Sequence, residues 1–192
     1  MSSLKVMVPL LLVLALFACA KPPQADIDAA RSAVTAAAKN PDIAAYAADT
    51  LKSAQDKLAQ MESELSAKHY DKVKTLALDA KATAETAVSD AARNKQKAQA
   101  DARTLIDALK KAIPDAEKKA AAARNVRGIK LDFGALAKQI ADAKAAVADA
   151  DKDYAAGNFA DALRKAIAVQ NQLNDGEKAV SDAVQAAAGR KK

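Results

Sequence analysis

A chain of 192 residues with a formal net charge of +6, 51% hydrophobic and 28% charged residues, has room for one or two small domains and the balance of a folded protein rather than a disordered one. Ala supplies more than a quarter of it, Phe and Tyr number three each and Trp is absent, which excludes a large aromatic or aliphatic core. Ala is the strongest helix former and the smallest core residue, so burial contributes ~0.8 kcal/mol per methyl-sized group rather than the ~1.5–3 kcal/mol of a Leu or Phe, and long, thin helical packing is expected.

Residues 1–20 open with Lys5, continue as an apolar run from Val6 to Phe17 and end in small residues around the single Cys19, the layout of a secretory leader. The run is interrupted by Pro9 and followed by Lys21, Pro22 and Pro23, short of the ~20 apolar residues that a spanning helix needs. Leu16, Phe17, Ala18 and Cys19 resemble the lipobox of bacterial lipoproteins, with Leu three before the cysteine and a small residue just before it, although Phe17 is bulkier than the usual occupant of its place. The resemblance implies a signal peptide over 1–18, recognised through Leu16, Phe17 and Ala18 by the lipoprotein signal peptidase. It also implies diacylglycerol on Cys19 and an acyl chain, such as palmitate, on the new amino terminus. Several chains exceed what stable anchoring requires. Ala20, where Asp would resemble an inner-membrane retention signal, favours the outer membrane. The alternatives are an uncleaved anchor and an ordinary leader with an incidental Cys. Residues 19–24 read as a lipidated tether.

From Ala25 the chain has helical spacing and no convincing strand alternation, so the fold class is all-α. A short helix is expected over Asp26 to Lys39. Asn40 then caps a second helix with Pro41 at its first position, and its apolar stripe is Ile43, Ala47, Leu51, Ala54, Leu58, Met61 and Leu65. After a turn around Lys68, His69 and Tyr70, a long helix with a slender face of Val73, Ala77, Ala80, Ala84, Ala87 and Ala91 runs to Ile113, about 66 Å at ~1.5 Å per residue. Pro114 opens another short helix, Val126 to Gly134 is a loop, and Asp132 caps the helix after it. In the last hairpin, Leu136, Ile140, Ala143, Val147 and Ala150 face Leu163, Ile167, Leu173, Val180 and Val184, with Gly157 as a stop and Asn158 as the next cap. Acid-before-base pairs four residues apart, Glu64 with Lys68, Asp107 with Lys111 and Asp161 with Lys165, are expected to support exposed faces by ~0.2–0.5 kcal/mol each.

The two hairpins look like copies. A shift of 89 positions (159 − 70) places Leu51 on Ile140, Ala54 on Ala143, Leu58 on Val147, Tyr70 on Phe159 and Leu78 on Ile167. The architecture expected is therefore two related, elongated antiparallel hairpins, with regions 25–113 and 114–192, the second ending in the basic tail Arg190, Lys191 and Lys192. Tyr154, Gly157, Asn158, Phe159 and Ala162 resemble the turn of a tetratricopeptide repeat, but the helices are too long for that repeat's period. Tyr46 to Ala91 and, more weakly, Leu136 to Asn174 are similar to the alanine-rich helical-hairpin domain of unknown function of bacterial envelope lipoproteins. That resemblance implies a periplasmic, non-catalytic domain.

Chemistry is scarce. One Cys and one His exclude zinc sites of the usual kind, and the same lack of bases removes Cys and Ser triads. His69 falls where Asn158 stands in the second hairpin, which marks a turn. No metal, cofactor or catalytic residue is expected. Mixed charge, few aromatics and an export signal argue against nucleic acid. Three functions remain. The favoured one is a structural or adaptor lipoprotein of the cell envelope, held in the outer membrane through Cys19 and facing a protein partner in the periplasm. The second is a spacer joined to peptidoglycan through Lys192, because the basic end resembles that of the major outer-membrane lipoprotein. The third is a hydrolase or small-ligand carrier using a groove between hairpins.

Overall fold

The computed structural model describes residues 21–189, so the lipobox residues Leu16 to Cys19 and the tail residues Arg190 to Lys192 lie outside the described residues. Six helices account for the described fold, which has no strand: α1 (Gln24–Ala38), α2 (Pro41–Tyr46), α3 (Ala48–Ser66), α4 (Tyr70–Arg124), α5 (Phe133–Ala155) and α6 (Phe159–Gly189). The all-α, antiparallel-hairpin expectation holds. Two of the expected caps are present: Asn40 accepts from the Asp42 N–H, and Asp132 accepts from those of Gly134 and Ala135.

Two expected boundaries are corrected. The helix expected from Pro41 through Leu65 is broken at Ala47, whose φ of −144° and ψ of 34° leave helical space. Ala47 and Ile43 are nonetheless both buried, so the stripe continues across the break. Pro114, expected to open a helix, instead lies within α4, a single helix of 55 residues. A proline there removes one backbone hydrogen bond and crowds the preceding turn, yet buried Ile113 and Ala116 on either side hold the helix to its neighbours through it.

Contacts along α4 define two helical layers in series, α1, α2 and α3 against its first part and α5 and α6 against its second. In the first, Thr50 donates to Asp90 and Lys57 to Thr83, both at 3.0 Å, so α3 runs antiparallel to α4 from the turn at 67–69. α1 pairs with α3 through Arg31 and Glu62 at 2.7 Å near that turn, while Asp42, just beyond α1, meets Lys95 at 2.8 Å. α1 therefore starts at the turn end and runs parallel to α4. In the second layer, Lys110 with Asp151 at 2.9 Å places α5 antiparallel to α4, and Lys119 with Glu177 at 2.9 Å places α6 parallel to it. Gln139 and Gln172 each donate to the other's backbone carbonyl, at 2.5 and 3.0 Å, and staple α5 to α6.

Each layer has its own core; alanine predominates in the first, while Ile, Leu and Val outnumber it in the second. The first contains Ile27, Val34, Ile43 and Met61 beside Ala77, Ala80, Ala84, Ala87 and Ala91; the second begins at Ala102 and includes Ile106, Leu109, Ile140, Val147 and Leu173. The same α4 passes through both. At their junction the Tyr46 hydroxyl accepts from the Ala160 N–H at 3.2 Å, Asn94 donates to the Tyr46 carbonyl at 2.8 Å, Tyr154 tilts against Phe159 with centroids 5.2 Å apart, and Arg103 lies over the Tyr154 ring. Tyr46 thus satisfies a donor in the first turn of α6 that no residue within α6 can reach.

The turns after α3 and α5 match bond for bond. Ala67, Lys68 and His69 donate their N–H groups to the carbonyls of Ser63, Leu65 and Glu64; 89 positions on, Ala156, Gly157 and Asn158 donate to Lys152, Tyr154 and Asp153. Both turns need a left-handed residue, Lys68 at φ 60° and Gly157 at φ 82°. Glycine, having no Cβ, takes that conformation without the steric cost that other residues bear, so Lys68→Gly is expected to raise stability by about 1 kcal/mol and Gly157→Ala to lower it by about as much, as urea denaturation would register. Equal and same-signed effects at both positions would refute the shared geometry.

The expected acid–base pairs are re-partnered. Lys68, in the left-handed turn, makes no ion pair with a described residue, and Glu64 instead takes His69 at 2.5 Å and Lys72 at 3.3 Å; Asp107 pairs with Arg103 and Asp161 with Arg164, while Lys165 crosses to Asp153. These are solvated pairs, each a small contributor to stability.

Candidate functional site: the two ends of the rod

The described residues hold no group of three or more His, Cys, Asp or Glu placed to bind a metal. His69 lies in the α3–α4 turn, as its sequence position indicates, and its ring nitrogen faces Glu64. That hydrogen bond, with help from Lys72, holds the Glu64 carboxyl below its usual range. Arg31 does the same for Glu62. Both are surface clamps between helices.

Space inside the bundle is small. Where α4, α5 and α6 converge, Leu136, Gln139, Ile140, Leu173 and Gly176 line a cavity of about 10 Å³, room for roughly one water. The hollows of 410–440 Å³ are open grooves along helix faces, such as that between Pro114 and Val147. Ile167, expected to face α5, is instead exposed, its place in the core taken by Ala166 and Val169; it, Leu78 and Val88 stand singly on α6 and α4, an ordinary condition for a protein surface. No described helix is long and apolar enough to cross a membrane.

The distinctive places are the ends. α4 alone spans about 82 Å at ~1.5 Å per residue. At one end are the α3–α4 turn and the start of α1, where Pro22 and Pro23 lead into Gln24. The tether expected over 19–24 is therefore already helical at Gln24, two residues earlier than the helix start expected at Asp26. At the other end are the α4–α5 loop and the last turns of α6. From Glu177, level with Lys119, α6 continues for twelve residues while α4 has only five left, and Ala187 in its last turn is still only 2% exposed.

Residues 25–103 match the family described as Domain of unknown function (DUF4398). The match covers α1, α2, α3 and the part of α4 that packs with them, and it stops one residue into the second core, which opens at Ala102. The similarity is thus to the first layer, a unit with its own core, and agrees with the resemblance to a domain of unknown function seen in Tyr46 to Ala91. No curated protein and no solved structure matches the chain.

Sequence reasoning missed the charge at the second end. Arg124 ends α4, Arg127 and Lys130 stand in the loop after it, and the three form no run. Only the parallel course of α4 and α6 brings that loop to the end of the rod where α6 finishes.

Proposed function

We propose that the protein is a lipoprotein of the cell envelope, anchored through Cys19 in the outer membrane and facing the periplasm, which serves as a non-catalytic spacer or adaptor. The observation that carries this reading is positional. The lipobox-like Leu16 to Cys19 ends five residues before α1, and α1 begins at one extreme of a rod whose α6 finishes at the other. A lipid at Cys19 then sets the rod's far end at a distance from the membrane rather than beside it. The bonds recurring 89 positions apart in the two turns, and the burial of Leu51, Ala54 and Met61 in register with Ile140, Ala143 and Ala150, support a hairpin duplicated within the chain. The test is labelled palmitate and fractionation. The unaltered protein should take up label and sediment with membranes, and Cys19→Ser should abolish both. Membrane association that survives Cys19→Ser would defeat the anchor.

The second reading, a spacer bound to peptidoglycan through Lys192, is favoured by the same polarity, because it would put wall and lipid at opposite ends. Sacculi prepared by boiling envelopes in SDS should then keep the protein until muramidase releases it, and deleting Lys192 should free it. Complete extraction into detergent leaves the adaptor role alone.

A further inference from the structure

Along most of the rod bases alternate with acids and many pair with them, whereas the α4–α5 end gathers bases with few acids among them. Arg124 closes α4 with its guanidinium 5.3 Å from the Phe133 ring centroid, and Arg127 and Lys130 are exposed in the loop without an ion pair to any described residue. From 124 to 133 the lone acid is Asp132, and its carboxylate is occupied by the Gly134 and Ala135 N–H groups. α6 finishes alongside, and from Ala183 to its end at Gly189 it holds no acid. By contrast, at the α3–α4 turn His69 and Lys72 share Glu64.

We propose that this basic tip docks on an anionic phospholipid surface. Charge complementarity is the first reason: each Lys or Arg held near such a surface strengthens binding about fivefold. The second is the residues between the bases. Val126 and Ile129 are aliphatic and only partly buried, a composition suited to a headgroup layer with an acyl boundary beneath it, which a carbohydrate polymer does not offer. The third is distance: with α1 at the opposite end of an α4 about 82 Å long, the tip faces away from whatever surface holds the amino-terminal end. The inference rests on the anchor reading only for its outcome in the envelope, where the rod would bridge two membranes.

The experiment uses the full chain purified from envelopes and reconstituted into phosphatidylcholine vesicles, with flotation reporting whether it is anchored. Fluorescent vesicles of phosphatidylglycerol and phosphatidylcholine in equal parts are then offered, with pure phosphatidylcholine vesicles and purified sacculi in parallel. Capture of the anionic vesicles alone is expected, fading as salt rises from about 0.15 to 1 M and the screening length falls from ~8 to ~3 Å. Arg127→Glu with Lys130→Glu should weaken capture at least about 25-fold while circular dichroism stays helical. Failure to capture anionic vesicles, capture indifferent to the double substitution, or retention by sacculi in place of vesicles each overturns the proposal. Should the chain fail to float, the anchor reading falls alone, and the same vesicles are offered to the chain held on beads through its amino-terminal end.

Discussion

Replacing Pro114 with Ala is expected to stabilise the protein by up to about 3 kcal/mol, the difference between these residues in a helix interior. Pro114 is exposed on α4, so its ring contributes little burial, and its missing N–H leaves the Lys110 carbonyl without its helical donor. Ala restores the donor and relieves the crowding. Pro114→Gly also restores the donor but keeps the chain entropy, so its gain should be smaller by about 1 kcal/mol. Urea denaturation midpoints of the three proteins, at constant slope, decide the matter. A Pro114→Ala protein no more stable than the parent would mean that the helix around Lys110 is already relieved by distortion.

Ile106→Ala should act in the opposite direction and strongly. Ile106 is fully buried and among the largest fully buried side chains of the protein, in a core it shares with Leu109, Ile113, Ile140 and Leu173. Its truncation leaves a void that rigid helices close only in part, and a loss of about 2–5 kcal/mol is expected, with Ile106→Val costing about 0.5–1.5 kcal/mol. Because the buried clusters divide between Ala91 and Ala102, amide exchange should accelerate in α5 and α6 and in the adjoining part of α4, with α1 and α3 little changed. Uniform acceleration would instead make the whole rod one cooperative unit.

Much of this fold can be read along the chain because its cores are stripes. The stepping of Ile43, Leu51, Ala54 and Met61, and of Val73 through Ala91, points one face inward, and those residues are inside, Ala77, Ala80 and Ala87 fully so. Asn40 and Asp132 announce helix starts because only a short polar side chain reaches back to the free N–H groups. The break at Ala47 carries no such sign: Ala favours helix, and the departure comes from α2 meeting α4 at Asn94 and Lys95. Pro114 misleads for the converse reason, since neighbouring helices override a strong local preference. At the candidate site, the lipobox residues and Lys192 are legible only as sequence. The basic tip depends on the relative direction of α4 and α6, which no local pattern encodes.

The course of α1 beside α4 bears on what happens when the two ends are pulled apart. Tension applied at Gln24 and Gly189 draws α1 and α6 along α4 in opposite senses, so the Ala-lined seams are loaded in shear, with every contact sharing the strain at once, rather than peeled open one residue at a time. Tyr46, which joins the end of α2 to the first turn of α6, lies between the two loaded seams and lets strain pass from one to the other without going through the Ala92–Asp101 stretch of α4 alone. A molecule so arranged is stiff under traction along its length and far weaker when bent sideways at that stretch.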